Sequence, residues 1–106
     1  IGGVVGFNSI DQWNHRAELG YWIDQHLEGR GLCRRACAQL IRFAFDELDL
    51  NRITIAAAVE NRRSRALAER LGFTLEGIRR ESEWLYDHYV DHALYGLLRR
   101  EWNDAS

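Results

Sequence analysis

The stretch ELGYWIDQHLEGRGLCRRACAQLIRFA, residues 18–44, predicts a strand, a short loop and a long amphipathic helix in succession. The strand half is apolar with few interruptions, as expected for a strand in a covered sheet. After Gly31 the period changes, and apolar residues recur three and four positions apart. This stripe, typical of a helix packed on a sheet, consists of Cys33, Ala36, Cys37, Leu40, Ile41, Ala44 and Leu48.

The loop between strand and helix carries Gly29-Arg30-Gly31. Unpaired main-chain N–H groups converge at a helix N-terminus, and the positive end of the helix dipole lies behind them. Glycine allows the main chain to approach a phosphate where a Cβ atom would obstruct it. We therefore interpret this loop as a cradle for a pyrophosphate group.

Composition excludes several classes of protein. The chain has 106 residues, one domain's worth, and a formal net charge of −2, which gives no broad attraction to nucleic acid or to an anionic membrane. No apolar run approaches the ~20 residues of a membrane span, and nothing resembles a signal peptide. A cytoplasmic location is therefore expected. The chain begins at Ile1 inside an apolar run and contains no Met, so we expect a fragment or a processed product.

The order of predicted elements is β-β-α-β-α-β-β, an α/β arrangement without repeats or linkers. A continuous apolar run, RITIAAAV, predicts a central strand buried on both sides. Asn61 stands where a helix N-cap belongs, and Gly72 stands where that helix ends. The predicted elements are strands 1–10 and 17–24, a helix from 31, a strand at 52–59, a helix at 61–71, a strand from 73, a turn at 87–88 and a strand at 90–98.

Four segments in this order resemble the GNAT acetyltransferases, and the resemblance covers essentially residues 1–106 as one domain. It implies a mixed, mostly antiparallel central sheet with helices on both faces, lacking the N-terminal part of the family domain. Within the family, the first and last segments resemble the branch that acetylates ribosomal-protein N-termini. The segments are AELGYW (17–22), HLEGRG (26–31), ENRRSRALAERLGF (60–73) and YVDHALYGLLRREW (89–102).

The resemblance implies a site for acetyl-coenzyme A. Asn61 matches the family residue that contacts the pantetheine arm, and Trp22 and Ile23 lie where the strand flanks that arm. His26 departs from the Gln or Arg of the family's loop motif. The pyrophosphate would be held by the main-chain amides of Leu27, Glu28, Gly29, Arg30, Gly31 and Leu32.

The resemblance also implies a base and an acid. An amine must lose a proton before it attacks a thioester, and two carboxylates compete for that role. Glu83 matches the base proposed in the ribosomal-protein branch, whereas Glu18 lies where other members keep a catalytic Glu; we prefer Glu83. Ser64 matches the branch's proposed acid for the departing thiolate, and simple helix capping is its alternative. The Tyr that many members use is replaced by Ala68.

Cysteines and histidines receive structural interpretations. Cys33 and Cys37 are four residues apart on one helix face, and we expect a buried, reduced pair. His88 and His92 span a predicted turn and strand rather than one helix face, so no metal site is expected.

For two sets of residues the sequence is consistent with two roles. The cluster Arg62, Arg63 and Arg65 fits either the 3′-phosphate of coenzyme A or a solvated helix face. A set of aromatic residues fits either the core, the commoner case, or an acceptor pocket. Its members are Trp13, Trp22, Trp84, Tyr86 and Tyr89.

Together these features predict an N-acetyltransferase that moves acetyl from acetyl-coenzyme A to a primary amine by direct attack. The expected acceptor is a protein N-terminus, perhaps of a ribosomal protein, with no nucleic-acid or membrane partner and with a homodimer left open. The alternatives are a polyamine or small-molecule acceptor and a non-catalytic acyl-coenzyme A-binding module. Because one side of the acceptor groove belongs to the absent N-terminal part, the chain is expected either to bind the cofactor without full activity or to depend on another segment.

Overall fold

The computed structural model describes residues 3–23 and 32–102. Within them five strands form one sheet in the order β1-β2-β3-β5-β4. All neighbouring strands are antiparallel except β2 and β3. This confirms the predicted α/β architecture with a mixed, mostly antiparallel sheet. The elements are β1 Gly3–Asp11, β2 Arg16–Ile23, α1 Leu32–Asp46, β3 Arg52–Ala58, α2 Arg62–Arg70, β4 Thr74–Leu85 and β5 His88–Leu98.

The parallel pair β2 and β3 is joined over only three positions. The last pair is Glu18 with Thr54; residues 19–23 of β2 and 55–58 of β3 are not paired with each other. Each strand stays paired on its other side, β2 with β1 and β3 with β5. The sheet therefore opens between β2 and β3, and the opening widens toward the carboxyl ends of both strands.

Both helices pack against the same face of this sheet. Tyr21 of β2 donates a hydrogen bond to α2 and lies beside Cys33 and Cys37 of α1. Tyr95 of β5, on the same face, bonds to side chains of α2. The shared core comprises Ala17, Leu19, Cys37, Ile41, Ala44, Phe45, Leu50, Ile53, Ile55, Leu67, Ala68, Leu71, Phe73, Ala93, Tyr95 and Leu97.

The other face of the sheet differs from expectation. Burial along β3 alternates, with Ile53, Ile55 and Ala57 buried and the intervening residues half-buried. The prediction that β3 is buried on both sides was therefore wrong for the described part of the chain. Its apolar run is continuous because alanines occupy the second face, and neither described helix covers that face.

The predicted apolar stripe is confirmed for all its members except Ala36, which is exposed. Cys37, Ile41 and Ala44 are buried, and Cys33, Leu40 and Leu48 pack against the core. Phe45 of α1 and Leu50, which follows the helix, are buried in addition. The helix ends at Asp46, before the predicted Leu48. In the described ranges, 3–23 and 32–102, no helix is long and apolar enough to cross a lipid bilayer.

Candidate functional site

The opening between β2 and β3 is the candidate ligand site. In open α/β sheets, ligands bind beyond the carboxyl ends of parallel strands, where the strands separate and their loops diverge. Here β2 ends at Ile23 and α1 begins at Leu32, while β3 ends at Ala58 and α2 begins at Arg62. The N-termini of both helices thus follow directly from the two strands that separate.

The predicted pyrophosphate loop connects β2 to α1. Leu27, Glu28, Gly29, Arg30 and Gly31 lie outside the described residues. Trp22 and Ile23 belong to the end of β2 whose main chain pairs with β1 but not with β3. Leu32 is the first residue of α1. The strand-to-helix placement of the loop is therefore as predicted.

Asn61 forms the N-cap of α2. Its Oδ1 accepts a hydrogen bond from the main-chain N–H of Ser64 at 3.1 Å. Capping uses the amide oxygen, so the Nδ2 group keeps its two hydrogens for another acceptor. Asn61 is exposed and Ser64 is half-buried. The capping alternative is confirmed for Asn61, and it is compatible with a contact to a ligand.

Tyr21 crosses the opening on the helix face. Its hydroxyl donates a 2.7 Å hydrogen bond to the main-chain carbonyl of Ser64. Burial, and then the neighbouring Cys37 and Cys33, raise the pKa of Tyr21 far above its usual value. Tyr21 therefore stays a neutral donor and ties β2 to the first turn of α2. Sequence reasoning missed this residue, although strand alternation places it on the same face as Leu19.

Cys33 and Cys37 flank Tyr21 on α1. Both are free, with Cys37 fully buried and Cys33 half-buried. Burial raises the pKa of each thiol. Both thiols therefore remain protonated near neutral pH. The two cysteines form no disulfide, and the expected burial is complete for Cys37 and partial for Cys33.

Glu83 lies on the opposite face of the sheet, on the edge strand β4, which β5 separates from β3. Its Oε1 is 3.0 Å from Nε2 of His92. His92 pairs with Ala58, the last residue of β3, so this carboxylate sits level with the carboxyl end of that strand. The sequence suggests only a metal-ligand role for His92 and carries no signal for its pairing with Glu83.

Glu18 lies at the narrow end of the opening. It is the last residue of β2 paired with β3, and its Oε2 accepts a 3.0 Å hydrogen bond from Asn8 Nδ2. Along β3, its partner Thr54 is four residues from Ala58, which is roughly 13 Å at 3.3 Å per residue. The structure therefore does not bring the two candidate bases together.

Within the arginine cluster of α2, Arg65 has a structural role that is neither a phosphate contact nor part of a solvated helix face. Arg65 donates from Nε to the Tyr95 hydroxyl at 3.1 Å and from Nη1 to the Val59 carbonyl at 3.1 Å. Tyr95 in turn donates to Glu69 at 2.9 Å. Arg65 is therefore committed to holding α2 on the sheet, while Arg62 and Arg63 are exposed.

The aromatic set is mostly on the surface. Both turns carry one member, Trp13 between β1 and β2 and Tyr86 between β4 and β5, each about nine-tenths exposed. Trp84 and Tyr89 are more than half exposed and form an edge-to-face pair at 4.9 Å between ring centroids. The core interpretation was wrong for these four residues because they lie at hairpin ends. The Trp22 side chain is outside the described part.

His88 and His92 each bond to a carboxylate. His88 Nδ1 is 2.8 Å from Asp87 Oδ1, and His92 is engaged with Glu83. Within 3–23 and 32–102, no three His, Cys, Asp or Glu side chains form a group suited to a metal ion.

Comparison with known proteins places this geometry in a family. The model of the Acetyltransferase (GNAT) domain family matches residues 1–74. The chain is 46% identical to the Bacillus subtilis protein YdaF over 100 residues, covering 94% of this chain and 55% of that protein. It is 40% identical to the ribosomal-protein-serine acetyltransferase of Escherichia coli, covering 91% of this chain and 54% of that protein.

A solved structure shows the same architecture. The microcin C7 self-immunity acetyltransferase MccE, crystallised with acetyl-CoA and AMP, superimposes with a TM-score of 0.87 at 38% identity, covering 92% of this chain and 54% of that chain. The chain thus spans about half the length of the relatives it matches. The split sheet, the two helices that follow the separating strands and the match over residues 1–74 agree, and the chain belongs to the GNAT acetyltransferase family.

Proposed function

We propose that this chain forms the cofactor-binding part of an N-acetyltransferase that moves acetyl from acetyl-coenzyme A to a primary amine. The observation that supports this most is the placement of Ser64 and Glu83. Ser64 lies on the first turn of α2, where Tyr21 reaches it across the opening on the helix face, and Glu83 lies on the opposite face, bonded to the residue that pairs with the last residue of β3. Direct transfer needs a proton acceptor where the amine enters and a donor where the thiolate leaves.

The residues around the opening suit acetyl-coenzyme A. The unpaired edge of β2, residues 19–23, offers main-chain groups to an extended chain that contains amides, as the pantetheine arm does. Trp22 and Ile23 belong to this edge. Asn61 Nδ2 supplies a donor at the start of α2. For the pyrophosphate, we assign the main-chain amides of Leu27, Glu28, Gly29, Arg30, Gly31 and Leu32.

The chemistry follows from these positions. Acetyl-coenzyme A supplies a thioester whose carbonyl carbon is open to attack. Glu83 accepts a proton from the ammonium group of the acceptor, which frees the nitrogen lone pair to form the new amide bond. As the carbon–sulfur bond breaks, the Ser64 hydroxyl donates a hydrogen bond to the leaving thiolate. The second proton that the nitrogen loses on becoming an amide passes to this sulfur, so coenzyme A leaves as the free thiol. Glu18, at the narrow end and engaged with Asn8, is the weaker candidate for the base.

We further propose a protein N-terminus as the acceptor, specifically that of a ribosomal protein in the cytoplasm. This rests on the E. coli relative, which is named for acetylating a ribosomal protein on serine. It also agrees with Glu83 being about half exposed, because a carboxylate open to solvent can receive the flexible, cationic end of a large substrate.

The test is release of free thiol from acetyl-coenzyme A in the presence of N-terminal peptides of ribosomal proteins, spermidine or small amines. Peptide-dependent release is expected. Release only with spermidine would contradict the protein acceptor. The assay uses the chain joined to the N-terminal part of the family domain, and coenzyme A binding without release in any mixture would then contradict the enzyme and favour a binding module.

The same assay assigns the base. Glu83→Gln should lower kcat by about 10²- to 10⁴-fold, the usual contribution of general base catalysis, with little change in the affinity for coenzyme A. Glu18→Gln is the matched control and should retain most of the rate. If Glu18→Gln is the slow variant, the base assignment is wrong.

A further inference from the structure

The Glu83 carboxylate would be poorly fixed without a neighbour. Glu83 lies on β4, which is at the edge of the sheet, and its side chain is about half exposed. An exposed glutamate has several rotamers of similar energy, so few of its conformations would face an incoming amine. The 3.0 Å contact with His92 Nε2 selects among them.

His92 is itself held firmly. It lies on β5, between β3 and β4, where Cα pairing sets Ala58 on one side of it and Arg79 on the other. Its side chain is 20% exposed, against 48% for Glu83. The small Ala58 side chain leaves room for the imidazole ring on this face. The ring is therefore the better fixed member of the pair.

A bulge in β4 brings Glu83 to His92. The register of β4 shifts between Arg79 and Glu83, and Glu81 within the bulge has φ = 49°. The Glu81 N–H donates a 2.7 Å hydrogen bond to Asp91 Oδ1, which anchors the bulge to β5. Glu83 then pairs with Val90, which is buried and two residues from His92. Side chains at such diagonal positions meet on one face of a sheet.

The hydrogen bond also distinguishes the two carboxylate oxygens. An ionised carboxylate only accepts hydrogen bonds, so Nε2 of His92 carries the hydrogen. Oε1 is then engaged by His92, and the other oxygen, Oε2, is the one assigned to the acceptor amine. We propose that His92 is a positioning residue that fixes the Glu83 carboxylate, so that its second oxygen, Oε2, receives the proton of the amine. This proposal rests on the proposed function, in which Glu83 is the base.

The proposal is tested by two substitutions of His92 measured in the thiol-release assay. His92→Leu removes the donor and should lower kcat by about tenfold to a hundredfold, the effect of a small misplacement of a catalytic group, while the KM for acetyl-coenzyme A stays unchanged. His92→Gln keeps an N–H donor at a similar distance and should restore most of the rate. His88→Leu, at the hairpin end, is the matched control and should behave as wild type.

A double variant separates positioning from a general effect on the fold. If His92 acts only through Glu83, adding His92→Leu to Glu83→Gln should cause no further loss of rate. The proposal would be overturned if His92→Leu had the wild-type kcat, or if His92→Gln were as slow as His92→Leu. It would also be overturned if the losses of rate in the double variant were additive. A normal rate for Glu83→Gln would instead overturn the base assignment of the proposed function.

A measurement without substrate gives an independent answer. The ¹⁵N spectrum of the His92 ring should show the hydrogen on Nε2 in the wild type, and Glu83→Leu, which removes both acceptor oxygens, should change that signature. A ring whose tautomer is the same in both proteins, or whose hydrogen lies on Nδ1 in the wild type, would overturn the proposal even if no transfer is observed.

Discussion

At the scale of single residues, capping and burial account for several polar groups that also surround the candidate site. Asn61 caps α2 through its oxygen and keeps its amino group for other use. Tyr21 is a half-buried neutral phenol that ties β2 to Ser64. The most specific residue-level expectation concerns the loop glycine that would face the cofactor.

Gly29→Glu is expected to abolish coenzyme A binding in isothermal titration calorimetry. The substitution sets a carboxylate and a Cβ atom against the phosphates, where charge repulsion and loss of close approach act together. Gly77→Glu is the matched control, because Gly77 lies on β4 with open space around the position of a Cβ atom. Unchanged affinity in Gly29→Glu would refute the loop assignment.

At the scale of elements, the two helices are defined by their ends and the two separating strands by where their pairing stops. Helix α2 has an N-cap at Asn61 and is followed by Gly72 at φ = 93°. That left-handed conformation lets the chain turn from the helix into Phe73 and β4. A residue with a Cβ atom adopts it only at a cost.

Gly72→Ala should therefore lower the free energy of unfolding by about 1–2 kcal/mol. The cause is conformational, because a Cβ atom at this position would meet nothing within 4 Å. Gly77→Ala has equally open surroundings without a positive φ, and its unfolding free energy should stay within about 0.5 kcal/mol of wild type. Urea denaturation of both variants measures the difference, and equal stabilities would contradict this account of the helix end.

At the scale of the whole molecule, an ion pair links strands on the face of the sheet that the two helices do not cover. Arg52 of β3 reaches across β5 to Glu76 of β4 with two hydrogen bonds, one of them at 2.9 Å between Nη1 and Oε2. Gly96 of β5 makes room for this contact, because a Cβ atom there would lie 2.4 Å from Glu76 Oε2. The ion pair thus connects the strand next to the opening with the far edge of the sheet.

This ion pair predicts a pH dependence of stability. Its hydrogen bonds, and the charge of Arg52, lower the pKa of Glu76 below its usual value. A carboxylate with a lowered pKa stabilises the fold at pH values above the unfolded-state pKa, and the contribution is lost as the pH falls through the folded-state pKa. Since both side chains are about a third exposed, the contribution should be no more than about 1 kcal/mol.

Glu76→Gln should accordingly lower the unfolding free energy at neutral pH, and its difference from wild type should shrink as the pH falls below about 4. Urea denaturation across that range measures it. Glu47→Gln, at an exposed position after α1, should show no comparable loss at neutral pH. A difference between Glu76→Gln and wild type that persists in acid would show that shape rather than charge is responsible.

Local patterns predicted most of the elements, because short-range periodicity and end signals determine them. The stripe of α1, the caps of α2 and the apolar run of β3 all lie within a few residues along the chain. The same reasoning misjudged the turn after β4 by one residue, since β5 already begins at His88. It could not show that the apolar run of β3 has only one fully buried face.

The order of elements, the capping residues and the family resemblance can be predicted from the amino-acid sequence, because each depends on residues close together in the chain. Which strands run parallel, where the pairing of β2 and β3 stops, and which face each candidate residue occupies become visible only in the folded chain. The fold alone places Glu83 against His92 and keeps Glu18 away from both. Those relations depend on pairing between distant segments, and a shift of one residue in register would move a side chain to the other face.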